Sequence, residues 1–250
     1  MNDIELIKKY VAKELQEDAL KKLKSGYPVQ YIIGNVEFYG NIIEVNENVL
    51  IPRFETEYLV DKTLKYMNYL KINNPNILEI GTGSGCISIG LKKSITCNIT
   101  AIDISKNALE IAQKNAFLNH VAINFIECDL NKFNTIETYD LIISNPPYVP
   151  NNSVVDEKTK YEPQIAIFAE DDGLYFYKQI LTRLKDNLKE NYLIAFEIGD
   201  KEGKAIIKMV NEYLPKAYVI LEKDYNGYER YLFISNKIIE NWHIFNFKLK

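Results

Sequence analysis

Cysteine, histidine and arginine are scarce in this chain of 250 residues, and each scarcity closes off a class of function. The three cysteines, Cys86, Cys97 and Cys128, are widely spaced and form no Cys-x-x-Cys pair, which argues against structural disulfides and a zinc site. Neither histidine, His120 or His243, stands at metal-ligand spacing from a cysteine. His120 follows the end of a predicted helix, a place for a surface or capping role. Arginine occurs only at Arg53, Arg183 and Arg230, and the net charge is −4 with a pI near 5.4. Coating a nucleic-acid backbone is therefore not its main business, which leaves room only for a local basic patch. Long apolar runs are missing too: no stretch approaches the ~18 residues of a membrane span, and the start MNDIELIKKY lacks a signal-peptide core. The expectation is a cytoplasmic protein without a metal.

What is present suits one substantial domain with a small appendage, since 47% hydrophobic residues can bury a real core. Ile4, Ile7, Val11, Leu15 and Leu23 recur at helical spacing among Lys and Glu, predicting one or two amphipathic helices ended at Gly26-Tyr27-Pro28. The period then drops to two. VEFYG and NIIEV predict a β-hairpin around Gly40-Asn41, and Glu55 to Leu70 returns to helical spacing. Residues 1–72 thus form a helix and hairpin module, and 73–250 the main domain.

From Asn76 onward strands and helices alternate. NILEI, NITAID, AINFIEC and YDLIIS read as strands; Gly85 to Lys93 and Ser105 to Leu118 read as helices, with Ser105 as an N-cap. A helix around 174–188, the strand YLIAFEI, a helix over 201–213 and strands at AYVILE and RYLFIS follow. Strands separated by helices of about ten residues imply an α/β fold, a mostly parallel doubly wound sheet. The last two strands, joined through Asp224-Tyr225-Asn226-Gly227, suit an antiparallel edge, and the tail from Asn236 suits a further strand or a docked extension.

Two segments carry chemistry. LEIGTGSGCISIG sets Gly81, Gly83 and Gly85 between a strand and a helix, where glycine lets the chain turn sharply and lets a ligand approach the backbone. Asp103 ends the next strand at close to the ~20-residue separation at which an acidic side chain reaches ribose hydroxyls. A helix-capping role for Asp103 and a dinucleotide-binding fold are the alternatives, although the loop lacks Gly-x-Gly-x-x-Gly spacing. The second segment, SNPPYVP, leaves the strand YDLIIS through two prolines. Proline fixes φ near about −65° and has no N–H for a ladder, so Pro146 and Pro147 make at least a rigid strand exit.

An acidic strand end followed by GTGSG, then Asp103, then NPPY, resembles the class I S-adenosylmethionine-dependent methyltransferases that act on amino groups of planar amides or bases. GYPVQYIIGNVEFYG, VLIPRFETEYLV, YEPQIAI, DDGLYFY and FEIG are similar to the release factor glutamine methyltransferase family, over roughly residues 26–235. The resemblance implies a seven-stranded methyltransferase sheet and S-adenosyl-L-methionine as cofactor. It implies a cofactor site at Glu79, Gly81, Thr82, Gly83, Ser84, Gly85, Asp103, Asp129, Leu130 and Asn145. It places substrate on Asn145, Pro146, Pro147 and Tyr148, with Asn145, Pro146 and Tyr148 as the catalytic group. The partner implied is a peptide chain release factor. The sequence departs from the family pattern in Glu79 for Asp, Phe54 for proline, Ala169-Glu170 for glycines, Glu202 for glutamine, and a shortened segment before GYPVQYI.

The residue types suit methylation of an amide. Its two N–H groups can donate to the Asn145 side-chain oxygen and the Pro146 carbonyl, which prolines hold rigid, while the Tyr148 ring lies against the planar group. A ribosomal-protein glutamine, an adenine amino group of RNA or DNA, and a non-catalytic cofactor-binding module are the competing readings. Glu197 reads as a strand end or a site residue. Arg53 either pairs with Glu55 or Glu57 or meets the partner, and Tyr161-Glu162-Pro163 either packs a loop or touches substrate.

Overall fold

The computed structural model describes residues 2–239. The tail expected to extend from Asn236 therefore lies outside the described residues beyond 239, as do Trp242 and His243.

At the N-terminus, α1 (Asp3–Tyr10) is closed by a capping box in which Asn2 and Glu5 each accept the other's backbone N–H. A short 3₁₀ turn leads into α2 (Gln16–Lys24), and α3 (Val29–Ile33) stops at Gly34. The three helices gather around Ile7, Ala19 and Val29. The expected hairpin is β1 (Asn35–Phe38) and β2 (Asn41–Glu44). Its turn falls on Tyr39-Gly40, one residue earlier than expected, and both have positive φ (49° and 72°), as a two-residue type I′ connection requires. Helix α4 (Phe54–Tyr69) completes this part.

The alternating region gives β3 (Asn76–Ile80), α5 (Cys86–Ser94), β4 (Asn98–Asp103), α6 (Lys106–Leu118), β5 (Asn124–Glu127) and β6 (Tyr139–Ser144). A two-residue bridge, β7 (Val149–Pro150) with β8 (Phe168–Ala169), ties down the loop that follows. Then come α7 (Tyr175–Leu184), β9 (Leu188–Glu197), α8 (Gly203–Tyr213), β10 (Tyr218–Lys223) and β11 (Glu229–Ser235). Helix α7 ends four residues before the expected 188, the chain tightening into a 3₁₀ turn at Lys185–Asn187.

Among the described residues, seven strands form the main sheet in the order β10-β11-β9-β6-β3-β4-β5. Within it β11 alone runs antiparallel, lying between β9 and β10. Both faces are covered, which explains the near-continuous apolar runs in its strands. Ile77, Ile99, Leu141 and Leu193 face the hairpin, α4 and α5, while Leu78, Ile142, Ile194 and Leu232 face α7 and α8. The chain leaves β3 toward β4 on one side and returns to β6 on the other. That reversal opens a crevice at the carboxyl ends of β3, β4 and β6, where Gly81, Asp103 and Asn145 all emerge.

Asn115 on α6 joins the hairpin to this edge. Fully buried, it accepts the Glu44 N–H at 2.8 Å and donates to the carbonyls of Glu44 (3.0 Å) and Ser84 (2.9 Å). Every polar atom of its carboxamide is satisfied, as a buried polar group demands.

Candidate active site

The glycine loop begins where β3 runs out. The N–H groups of Gly81 and Thr82 both donate to the carbonyl of Ile102, which carries the chain across to the end of β4. Gly81 and Gly83 have φ of +70° and +55°, and a Cβ built on either meets nothing within 4 Å. They edge a cavity of about 250 Å³, so the missing side chains leave space for a ligand against the main chain. Gly85 serves packing instead: its Cβ would stand 3.2 Å from that of Ala112.

Asp103 supports the loop and faces the same cavity. Its carboxylate accepts the Gly83 N–H at 2.8 Å and the Ser105 N–H at 2.9 Å, leaving further lone pairs for a ligand hydroxyl. Burial raises its pKa above the ordinary carboxylate range, against the pull of those donors. Ser105 caps α6 as expected, accepting the Ala108 N–H at 3.2 Å.

Gly81, Gly83, Asp103, Asp129, Leu130 and Asn145 line the cavity; Glu79, Thr82, Ser84 and Gly85 lie behind it. Glu79 is 1% exposed, and one of its oxygens accepts from the hydroxyls of Thr82 and Ser88. Burial pushes its pKa up to about 7 despite those donors, and its other oxygen has no protein partner. Asp129 holds Asn131, whose side-chain oxygen in turn accepts from the Tyr175 hydroxyl at 3.1 Å. Pro163, weighed from the sequence as either loop packing or substrate contact, also lines the cavity, whereas the contributions of Asn48, Val49 and Leu50 from the N-terminal part and of Ile165 from the loop before β8 were not assigned from the sequence. Val49, Leu50 and Ile165 fall inside the segments VLIPRFETEYLV and YEPQIAI, which signal the family without showing that they reach this cavity.

Beyond SNPPYVP lies a second cavity of about 290 Å³, edged by Arg53, Asn145, Pro146, Tyr148 and Glu197. Asn145 and Pro146 border both cavities. Behind Asn145 runs a chain of polar contacts. Its Nδ2 donates to Thr56 Oγ1 at 3.1 Å, and Thr56 donates to Glu197 Oε2 at 2.8 Å. The Tyr148 hydroxyl lies 3.5 Å from both Glu197 Oε1 and an Arg230 nitrogen, and the Arg230 guanidinium sits 5.9 Å from the Tyr148 ring centroid. Burial pushes the Glu197 carboxyl up to about 7, with Thr56 and Arg230 pulling the other way. Burial, then the neighbouring Glu197, raises the Tyr148 phenol.

The loop holding Tyr148 is fixed from below. Gly173, at φ +90°, passes so close that a Cβ there would lie 2.2 Å from the Tyr148 carbonyl oxygen, which accounts for the glycine in DDGLYFY. Arg53 pairs with neither Glu55 nor Glu57. Its partner is Glu162, 109 residues away, which also accepts the Ile51 N–H at 3.0 Å. Tyr161 packs edge-on to Tyr27 and donates to the Ser25 carbonyl at 2.9 Å, so this loop closes onto the N-terminal part. His120 is exposed at the end of α6 with φ +57°.

A ligand with an apolar flat part, vicinal hydroxyls and a backbone-approaching tail fits this arrangement, and comparison with known proteins narrows the choice. The family description Methyltransferase small domain matches residues 56–161. The release factor glutamine methyltransferase of Flavobacterium psychrophilum is 42% identical over 221 residues, covering 86% of this chain and 77% of that protein. The chain belongs to the release factor glutamine methyltransferase family. A second relative so described, from Fusobacterium nucleatum, is 38% identical over 240 residues, covering 94% of this chain and 67% of its own length. Among solved structures, a Thermus thermophilus 16S rRNA N2 G1207 methyltransferase in complex with AdoMet and guanosine has the same fold, with a TM-score of 0.60 at 12% identity over 81% of this chain and 50% of that one. No helix among the described residues is long and apolar enough to cross a membrane, and no cluster of three or more potential metal ligands occurs among them.

Proposed function

We propose that this protein transfers a methyl group from S-adenosylmethionine to the side-chain amide nitrogen of a glutamine in a peptide chain release factor. The observation that carries this reading is the position of Asn145 and Pro146, which border both cavities.

S-adenosylmethionine, when bound, supplies an electrophilic methyl group on a positively charged sulfur. Gly81 and Gly83 leave room for its backbone-facing part, Asp103 offers free lone pairs to ribose hydroxyls, and Leu130 gives an apolar surface to adenine with Asp129 beside it. The residues fit the group.

The acceptor sets the harder problem. An amide nitrogen is a weak nucleophile because its lone pair is delocalised into the carbonyl, so the protein must hold its plane and stabilise positive charge as the nitrogen reacts. Asn145 Oδ1 and the Pro146 carbonyl each accept one N–H of the glutamine amide, and Pro147 keeps that pair of acceptors rigid. Oriented acceptors stabilise the developing charge. Tyr148 flanks the cavity that receives the side chain, and Arg53, held by Glu162, forms another part of its wall. Residues 1–72 form the module that meets the release factor, the methyltransferase domain occupying 73–250. The setting is the cytoplasm, where translation terminates.

Incubation with methyl-labelled S-adenosylmethionine and, separately, release factor, ribosomal protein and RNA tests the reading. Label on a release-factor glutamine is the expected result; label in adenine or in a ribosomal protein overturns it.

A further inference from the structure

A carboxamide can turn over, exchanging its oxygen for its nitrogen at almost no steric cost, so something has to decide which atom Asn145 presents to the acceptor cavity. The contacts behind it decide. An ionised Glu197 has only acceptors. Thr56 has one O–H, which it gives to Glu197 Oε2 at 2.8 Å across 141 residues of sequence. With that hydrogen committed, Thr56 Oγ1 can only accept, so the Asn145 atom 3.1 Å away must be the nitrogen. Oδ1 is then left facing the other way.

We infer that Thr56 and Glu197 are positioning residues that lock the Asn145 carboxamide with Oδ1 toward the substrate amide, making the site selective for an N–H donor. This rests on the reading of the acceptor as a glutamine amide, and it assigns work to two residues outside the NPPY motif. Thr56 is 2% exposed and in the first turn of α4; Glu197 is 2% exposed and ends β9. Neither is a surface residue free to choose partners.

The lock depends on the charge of Glu197. Once protonated, that carboxyl can donate to Thr56 Oγ1, which frees the threonine hydrogen for Asn145 and permits the reversed amide. The charged and titratable groups around Glu197 are Glu55 on α4, Cys86 on α5, Tyr148 on the loop after β6, Tyr177 on α7, and Arg230 and Tyr231 on β11. Arg230 favours the charged form and Glu55 opposes it, while burial holds the carboxyl at about 7. Below neutrality the lock loosens.

The test reads the amide directly. In ¹⁵N-labelled full-length protein, the Asn145 side-chain NH₂ pair, identified by its loss in Asn145→Ala, should shift between pH 5.5 and 8.5 with a midpoint near 7. That titration should vanish in Glu197→Gln and Thr56→Val. Single-turnover transfer at saturating cofactor and pH 8 should fall roughly ten- to a hundredfold in Thr56→Val, with S-adenosylhomocysteine affinity within about twofold of wild type, and Thr56→Ser should recover most of the rate. Wild-type transfer should decline below pH 7, and Glu197→Gln should lose that dependence. An Asn145 resonance indifferent to both substitutions, a Thr56→Val variant that transfers at the wild-type rate, or a Thr56→Val defect that Thr56→Ser does not relieve would each overturn the lock. The resonances judge it even if wild-type protein fails to label a release-factor glutamine, an outcome that would overturn the substrate reading instead.

Discussion

Gly173 lies beneath the carbonyl of Tyr148 at a distance that no side chain tolerates, 2.2 Å from the oxygen to where a Cβ would be, and its φ of +90° is one that L-residues seldom adopt. The turn before α7 therefore sets the position of the NPPY loop.

Gly173→Ala combines a left-handed backbone cost of about 1–2 kcal/mol with a steric overlap that must push the Tyr148 segment outward. The expected outcome is a lowered melting temperature and methyl transfer reduced by roughly 10²-fold or more, since a displacement of about 1 Å at a reacting centre costs that much. Thermal unfolding and single-turnover kinetics measure both.

Asp103→Asn retains one acceptor oxygen where two backbone N–H groups, those of Gly83 and Ser105, now share a carboxylate. Its NH₂ would oppose one of them. We expect the glycine loop to loosen and S-adenosylhomocysteine affinity to fall about ten- to a hundredfold by calorimetry, the loss of a charge-assisted hydrogen bond being worth about 1.5–3 kcal/mol.

Asn145→Ala removes one of the two fixed acceptors and leaves the cofactor cavity otherwise intact. Transfer should drop ~10²–10³-fold, by analogy with deleting one preorganised group of an oxyanion hole. Cofactor affinity should change far less, and separate measurement of the two distinguishes this outcome from a general disruption.

Stability should depend on pH through the buried carboxyls. Glu79 and Glu197 each have a folded-state pKa of about 7 against an ordinary value of 4.5. A raised carboxyl favours the protonated form on folding, so its contribution is fully present below the unfolded value and is lost as pH rises through about 7. For Glu79 the shift corresponds to about 3 kcal/mol. Glu79→Gln, which keeps the acceptor for Thr82 and Ser88, should therefore raise the melting temperature of the cofactor-free protein at pH 8 and have little effect at pH 5. Calorimetric scans at the two pH values check it.

Much of this was legible in the chain. The strand and helix order from Asn76 onward came from periodicity, because a parallel sheet covered on both faces demands apolar strands and amphipathic helices between them. The glycine loop and Asp103 were legible because their backbone and charge requirements are local. The contacts from Thr56 to Glu197 and from Arg53 to Glu162 were not, since each joins residues more than a hundred positions apart. Local spacing offered Glu55 and Glu57 to Arg53; both lie on the first turn of α4, whereas the side chain turns to the loop before β8. Asn115 is a similar case, an ordinary helical asparagine until α6 is docked beside Glu44 and Ser84.

The place of β11 bears on how the molecule comes into being. Inserted between β9 and β10, it is the last of the described strands of the sheet to be synthesised, yet it is not at the edge. Until residues 229–235 arrive, β9 presents a raw, strongly apolar margin, the kind of template that recruits foreign strands. Arg230 travels with that late strand, so the cation that steadies Glu197 is synthesised after β9 and β10. A chain that ends before residue 229 carries the whole glycine-loop sequence yet lacks the cation beside Glu197, so the charge balance around Asn145 depends on β11.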